Sequence, residues 1–327
     1  TLSYLQAQQS CIILMSHIEA GAGTGVKGKQ SMVPVAEHLQ KMGVSCVFIK
    51  SYKDALPSVQ KLEPGCILLL ENLRLNEGEE KNDRKFAQEL ASLGDIYVNE
   101  AFAVSHRAHA SVSAITEFIP SYAGLLFEQE VKHLNSAFNP LHPSLFILGG
   151  AKFETKLPLI EKFMGIFDKV FVGGALANNF LKEQGKDVGT SIVSPKNYNL
   201  SRFFNNPKLL LPIDNVRKDG AIFDAGPETM KMLHNEISDA KYVLWNGPLG
   251  AYEQGYRQPT LELARMLARA TEHKTTTVLG GGDTLATIAE LGTEDKYTFV
   301  STGGGAMLEY LAKGTLPAVE ALEKSTA

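Results

Sequence analysis

Strand-like and helix-like stretches alternate along nearly the whole chain, which predicts an α/β fold built on parallel sheets. Three observations carry that prediction. Short apolar runs lack the alternation of a half-exposed strand and so suit strands buried on both faces. Several of these runs end in glycine-rich turns, and helical spacing follows most of them. At 327 residues the chain exceeds a typical single core, so two domains are expected.

In chain order, Thr1-Leu2-Ser3-Tyr4-Leu5 reads as the end of a helix, and Cys11-Ile12-Ile13-Leu14-Met15 as a buried strand running into Ser16-His17. The stretch Gly21 to Lys29 contains a G-x-G-x-x-G match at Gly23 to Gly28 and a P-loop-like Gly28-Lys29. Gln30 stands where a P-loop needs Ser or Thr, and several residues separate the glycines from the strand, so a surface loop is expected. A helix over Val33 to Met42 places Val35, Leu39 and Met42 on one face. Strands follow at Val44 to Ile49 and Cys66 to Leu70, the latter leading into Glu71-Asn72-Leu73-Arg74. The charged patch Glu77 to Lys85 starts another helix, and Asp95 to Asn99 is a strand leading to Glu100-Ala101-Phe102. Phe127 to Leu134 reads as a helix joining the two halves, broken by Asn139-Pro140-Leu141-His142-Pro143. The domain boundary is placed there, giving 1–130 and 131–315.

The second half is organised around Leu145-Phe146-Ile147-Leu148-Gly149-Gly150-Ala151-Lys152-Phe153-Glu154-Thr155-Lys156. A glycine pair where a buried strand turns lets backbone N–H groups approach a ligand closely. A helix starting near Lys152 would put Lys152 and Lys156 on one face, both directed at that turn. Together these make a polyphosphate site. Alone, the stretch suits equally a tight strand-to-helix turn with two solvated lysines. The device recurs, however, at Val172-Gly173-Gly174, Trp245-Asn246-Gly247-Pro248, Gly280-Gly281-Gly282-Asp283-Thr284 and Ser301-Thr302-Gly303-Gly304-Gly305. In an open parallel sheet such turns gather at the carboxyl edge, where ligands bind, so their recurrence predicts a nucleotide site. In the first half, His17, Arg74, His106, Arg107 and His109 all follow strand ends. They predict a separate anion site.

Composition narrows the class. Hydrophobic content of 44% and charged content of 21% are ordinary for a globular protein. A formal charge of −4 argues against non-specific nucleic-acid binding. Cys11, Cys46 and Cys66 form no C-x-x-C pair and read as buried free thiols of a reducing compartment. No apolar run is long enough for a membrane span and no signal-peptide pattern opens the chain, so a cytoplasmic location is expected.

Several separated segments, taken together, resemble phosphoglycerate kinase. They are Leu148-Gly149-Gly150-Ala151-Lys152, Glu71-Asn72-Leu73-Arg74, Val98-Asn99-Glu100-Ala101-Phe102 and His106-Arg107-Ala108-His109. Leu244-Trp245-Asn246-Gly247-Pro248 with Glu253, Gly280 to Thr284, and Ser301 to Ala306 complete the set, in the family's order. The resemblance implies two doubly wound parallel-sheet domains joined by an inter-domain helix, with residues 316–327 returning to the first domain. It implies phosphoryl transfer between the acyl phosphate of 1,3-bisphosphoglycerate and MgADP, giving 3-phosphoglycerate and MgATP, in a monomer that closes about a hinge. It implies that Lys152 stabilises the transferring phosphoryl group, helped by Arg107 and by the backbone of Gly303 and Gly304. Lys156, Thr284 and the amides of Gly303, Gly304 and Gly305 would contact phosphates, with Gly149, Gly150, Ala151, Pro248, Gly281 and Gly282 alongside. Gly173, Gly174 and Asn246 would border the purine and sugar, Glu253 the ribose, and Asp283 would bind Mg²⁺. His17, Arg74 and Arg107 would hold the phosphoglycerate.

Three departures stand out. The family's Arg-x-Asp-x-Asn-Val-Pro strand end, and an arginine in the helix after it, do not occur in this sequence. They are expected from a segment preceding Thr1, since a sheet without that strand would expose an edge. Ser16-His17-Ile18-Glu19-Ala20-Gly21 replaces the family's Ser-His-Leu-Gly-Arg-Pro, and the stretch from Leu211 to Pro227 is shorter than usual. Two other readings follow from these features. One is a nucleotide-binding relative with impaired catalysis that serves as an interaction protein. The other, a dinucleotide-dependent oxidoreductase, would need an acidic residue at the next strand end, where Lys50 and Lys53 stand with Asp54 nearby.

Overall fold

A computed structural model of the chain describes residues 1–18 and 30–325. The glycine-rich stretch Gly21 to Lys29 and the departure at Glu19 and Ala20 lie outside the described residues. The chain folds into two compact units, Thr1–Gln129 with Thr315–Ala327, and Glu130–Gly314.

The first unit contains strands β1 (Ile12–Leu14), β2 (Cys46–Ile49), β3 (Ile67–Leu70), β4 (Tyr97–Asn99) and β5 (Ser121–Ala123). A three-stranded parallel sheet runs β1-β3-β2, with Ile12 opposite Ile67 and Cys46 opposite the same residue. β4 and β5 form a separate parallel pair. β3 is central and all four of its residues are buried, as its unbroken apolar run requires. Ile12, Ile67 and Leu69 pack with Met32 and Ala36 of the helix Val33–Lys41. The helix Pro317–Ser325 belongs to this unit, where the Ala318 N–H donates to the Ser105 carbonyl at 3.2 Å.

The charged patch Glu77 to Lys85 starts a helix at Glu77, as expected, and a second one as well: the two run Glu77–Glu80 and Arg84–Ala91. Asn82 takes a left-handed φ of 52°, and the Asp83 side chain caps the second helix by accepting the Phe86 N–H at 2.8 Å. The expectation of three buried thiols also needs correcting. Cys46 is buried and Cys66 half-buried, but Cys11 is exposed because β1 begins one residue after it.

The helix Leu125–Asn135 carries the chain into the second unit. That unit contains β6 (Ser144–Leu148), β7 (Lys169–Val172), β8 (Leu209–Leu210), β9 (Asn215–Lys218), β10 (Ala221–Ala225), β11 (Tyr242–Asn246), β12 (Thr276–Gly280) and β13 (Phe299–Ser301). A six-stranded parallel sheet has the order β13-β12-β11-β6-β7-β8, while β9 and β10 form an antiparallel hairpin. Every residue of β6 and β11 is buried. Helices cover both faces, and Trp245, Val243, Leu145 and Ile147 pack with Leu233, Leu263 and Leu267 on one of them. Sequence order runs outward in both directions from the neighbours β6 and β11. Ligands of open α/β sheets bind at the carboxyl ends of such a switch point.

Candidate functional site

At the carboxyl edge of the second unit's sheet lies a cleft of about 750 Å³. It is lined by Gly150, Lys152, Lys156, Asn246, Glu253 and Asp283, among others. The glycines are there because the chain segments touch. A Cβ on Gly149 would lie 2.1 Å from the Pro248 carbonyl, and one on Gly174 would lie 2.7 Å from the Gly150 nitrogen. Gly150 and Gly247 take φ of 94° and 91°, in the region that favours glycine. The turns are knitted by main-chain bonds, Gly149 N–H to Asn246 O at 2.9 Å and Gly150 N–H to Pro248 O at 2.8 Å.

The two lysines differ. Lys152 is exposed at the N-cap of the helix Phe153–Met164. Lys156, one turn on, is 7% exposed and donates to the Gly149 carbonyl at 2.6 Å. Burial pulls its pKa down to about 8; Asp283 opposes that shift and Lys152 adds to it. Asp283 is exposed in the first turn of the helix Gly282–Leu291, whose N-cap is Gly281. Gly304 caps the helix Gly305–Lys313 in the same cleft. Two helix N-termini therefore present backbone donors to it, as phosphate recognition requires. Pro248, Ala151 and Gly282 line the same space. Glu253 is exposed in the short turn Tyr252–Gln254.

Other expected contacts are engaged elsewhere. Thr284 is fully buried, and its hydroxyl accepts the Gly247 N–H at 3.0 Å, bracing the turn. Gly303 is buried, with its N–H given to Ser301 Oγ at 3.1 Å, so Gly304 and Gly305 carry the free edge of that turn. Asn246, 1% exposed, donates to the Gly280 carbonyl at 2.8 Å and ties β11 to β12. Gly173 packs under the sheet end, where a Cβ would strike the Phe171 ring at 2.7 Å. Glu130, fully buried, accepts the N–H and hydroxyl of Thr302 at 2.7 and 2.8 Å and holds the approach to Gly303.

In the first unit, His17 follows β1, Arg74 follows β3, and Arg107 and His109 lie beyond β4. Arg74 is 4% exposed; burial, followed by Arg107, lowers its pKa against Glu80 and Glu79, so two guanidinium groups are held near each other in spite of their repulsion. Burial, followed by Arg74, His109 and Arg107, drives His17 down to about 4. Burial, with Arg74 and Arg107, lowers His109. Both imidazoles are thus neutral hydrogen-bonding groups at neutral pH, and the arginines supply the charge. The sequence reading passed over Asn72. Its amide donates to the Ile18 and Gln30 carbonyls at 2.9 and 2.8 Å, and its oxygen accepts the Arg74 N–H at 3.0 Å. Asn72 therefore seats Arg74; its place beside that arginine was the available signal. Asp224, 3% exposed in the cleft wall, was also passed over, and nothing in its spacing marks it.

Comparison with known proteins bears on these sites. A family profile described as Phosphoglycerate kinase matches residues 1–314. The phosphoglycerate kinase of Finegoldia magna is 38% identical over 356 aligned positions, covering 99% of this chain and 89% of that protein. That of Chlorobaculum tepidum is 41% identical over 346, covering 95% and 86%. The solved structure of phosphoglycerate kinase from Coxiella burnetii superposes with a TM-score of 0.85 at 32% identity, covering 99% of this chain and 88% of that one. The Pyrococcus horikoshii enzyme superposes with a TM-score of 0.83 at 25% identity, covering 99% and 89%.

Proposed function

The chain belongs to the phosphoglycerate kinase family, and we propose that its second-unit cleft holds the nucleotide and its first-unit patch the phosphoglycerate. The enzyme is a phosphotransferase of glycolysis. It moves a phosphoryl group between the acyl phosphate of 1,3-bisphosphoglycerate and ADP, giving 3-phosphoglycerate and ATP. Such transfers depend on positioning and charge neutralisation more than on covalent chemistry.

The observation that carries the assignment is the convergence of Lys152, Lys156, Asp283 and two helix N-termini on one sheet edge. Lys152, the exposed ammonium, meets the transferring phosphoryl group. Lys156 holds nucleotide phosphate oxygens without leaving Gly149. The N–H groups of Gly304 and Gly305 and of the Gly282 turn take the remaining oxygens. Glu253 accepts from the ribose, and Gly174 and Asn246 border the slot for the purine, with Gly173 packed beneath it.

Asp283 is the side chain that would hold Mg²⁺. Among the described residues no group of three His, Cys, Asp or Glu side chains could cage a metal. One carboxylate suits a hard cation that takes its other ligands from phosphate and water. Bound there, Mg²⁺ neutralises phosphate charge. On the other unit, Arg74 grips the substrate phosphate with its planar fork, Arg107 neutralises developing charge, and neutral His17 donates a hydrogen bond. A cytoplasmic location is the accompanying reading, in keeping with the free cysteines, and a monomer is what the family resemblance implies. No helix among the described residues is long and apolar enough to cross a membrane.

A coupled assay with MgATP and 3-phosphoglycerate tests the reading, with Lys152→Ala as the control. Turnover is expected, and the substitution is expected to lower kcat by about a thousandfold. MgADP binding without turnover would overturn it, in favour of a nucleotide-binding protein with a degraded acid-substrate site.

A further inference from the structure

The cleft wall contains an ionisable side chain to which the proposed mechanism gives no part. Asp224 ends β10 with its carboxyl buried. Oδ1 accepts the Ala225 N–H at 2.9 Å, and Oδ2 is buried without a hydrogen-bond partner among the described residues. Burial pushes the carboxyl up to about 7 against the opposing Ala225 N–H, and no charged side chain is among the causes. An ionised carboxylate in that setting is strongly disfavoured.

What the carboxyl does there is steric. It fills the space that a side chain on Gly250 would need. A Cβ on Gly250 would lie 2.2 Å from Asp224 Cγ and 2.4 and 2.5 Å from the two oxygens. The neighbouring Phe223 adds two more grips on the same segment. Its carbonyl accepts the Ala251 N–H at 2.8 Å, and its ring stacks on Tyr256 with centroids 4.5 Å apart. The end of β10 thus holds residues 250–256 at three points, and that segment presents Glu253 to the cleft.

We infer that Asp224 is a positioning residue for the nucleotide: its carboxyl, wedged against Gly250, fixes the turn from which Glu253 meets the ribose. The inference rests on the assignment of Glu253 to the ribose. The wedge works through shape and hydrogen bonding, so an amide replaces it and a methyl does not.

The test is steady-state kinetics on the full chain, with KM for MgATP, KM for 3-phosphoglycerate and kcat measured for each variant. Asp224→Ala is expected to raise KM for MgATP roughly tenfold, with kcat within about threefold and KM for 3-phosphoglycerate unchanged. Asp224→Asn is expected to stay within about twofold of the parent. Gly250→Ala drives a methyl into the wedge and is expected to match Asp224→Ala. Combining the two should recover much of the loss, because the new methyl enters vacated space. An unmoved KM for MgATP in Asp224→Ala or Gly250→Ala, or an Asn variant as damaged as Ala, overturns the inference. So does an equal rise in both KM values. If Asp224→Ala does not fold, Gly250→Ala and Asp224→Asn decide the matter by the same criteria. Glu253→Gln separates the two levels. If it raises KM for MgATP while Asp224→Ala does not, the wedge fails and the ribose assignment stands. If it leaves KM unmoved, the assignment fails and the wedge goes with it.

Discussion

In the second unit's cleft the groups proposed to meet an anion are mostly main chain, on turns where Gly149, Gly174 and Gly247 are packed too closely for a side chain. In the first unit's patch they are side chains, Arg74, Arg107, His17 and His109, brought from separate loops with the two guanidinium groups near each other in spite of their repulsion. The two constructions fail differently. A backbone site is lost when atoms are added, because neither wall can move without breaking the turn. A side-chain site is lost when charge or fork geometry is removed, and the fold around it survives.

The widest gap between them should come from Gly149→Ala. The added methyl falls 2.1 Å from the Pro248 carbonyl, so backbone must shift. Nucleotide affinity is expected to drop by about a hundredfold and stability by about 3 kcal/mol. Thermal unfolding with and without MgADP reads both, and retained MgADP protection would break the main-chain account. Arg74→Lys comes next. It keeps the charge and loses the planar fork, so KM for 3-phosphoglycerate should rise about tenfold with KM for MgATP unchanged. Equal changes in both would erase the distinction between the sites.

A smaller effect sharpens the comparison through pH. Burial holds Lys156 at about 8, below its ordinary 10.5. Above about pH 8 the folded protein loses that proton while the unfolded chain keeps it up to about 10.4. Nucleotide affinity is therefore expected to fall severalfold between about pH 7 and 9. The contribution of Lys156 to stability should rise from about pH 8 to 10.5, where the unfolded state binds more protons. Lys156→Met should flatten both curves, as isothermal titration and denaturant melts would show. The smallest effect is a null one. With His17 held at about 4, KM for 3-phosphoglycerate should show no inflection from His17 near pH 6.5. A histidine-like inflection there that His17→Gln removes would restore a charged imidazole to the patch.

The same contrast governs what could be read from the chain beforehand. The cleft was legible because its central strand β6 is a contiguous apolar run with Gly149, Gly150, Lys152 and Lys156 directly after it, and because glycine-rich turns recur after β7, β11, β12 and β13. Membership of the cationic patch was legible only as residue types after strand ends; its protonation was not, since that depends on burial. Asn72 and Asp224 were missed for a related reason. Their importance lies in what their polar atoms touch, and the register of β10 shifts between Ile222 and Asp224, so periodicity says nothing about it. Thr284 shows the converse: the motif drew attention to it, but burial gave its hydroxyl to Gly247.

Glu130 bears on how the chain could be dissected. It stands ahead of β6, yet it accepts two hydrogen bonds from Thr302, 172 residues further on. A truncated gene begun at Pro140 would encode every strand of the nucleotide cleft and still leave those two donors unanswered beside the Gly303 turn. Anyone expressing the second half alone should start upstream of Leu125, so that the helix Leu125–Asn135 comes with it.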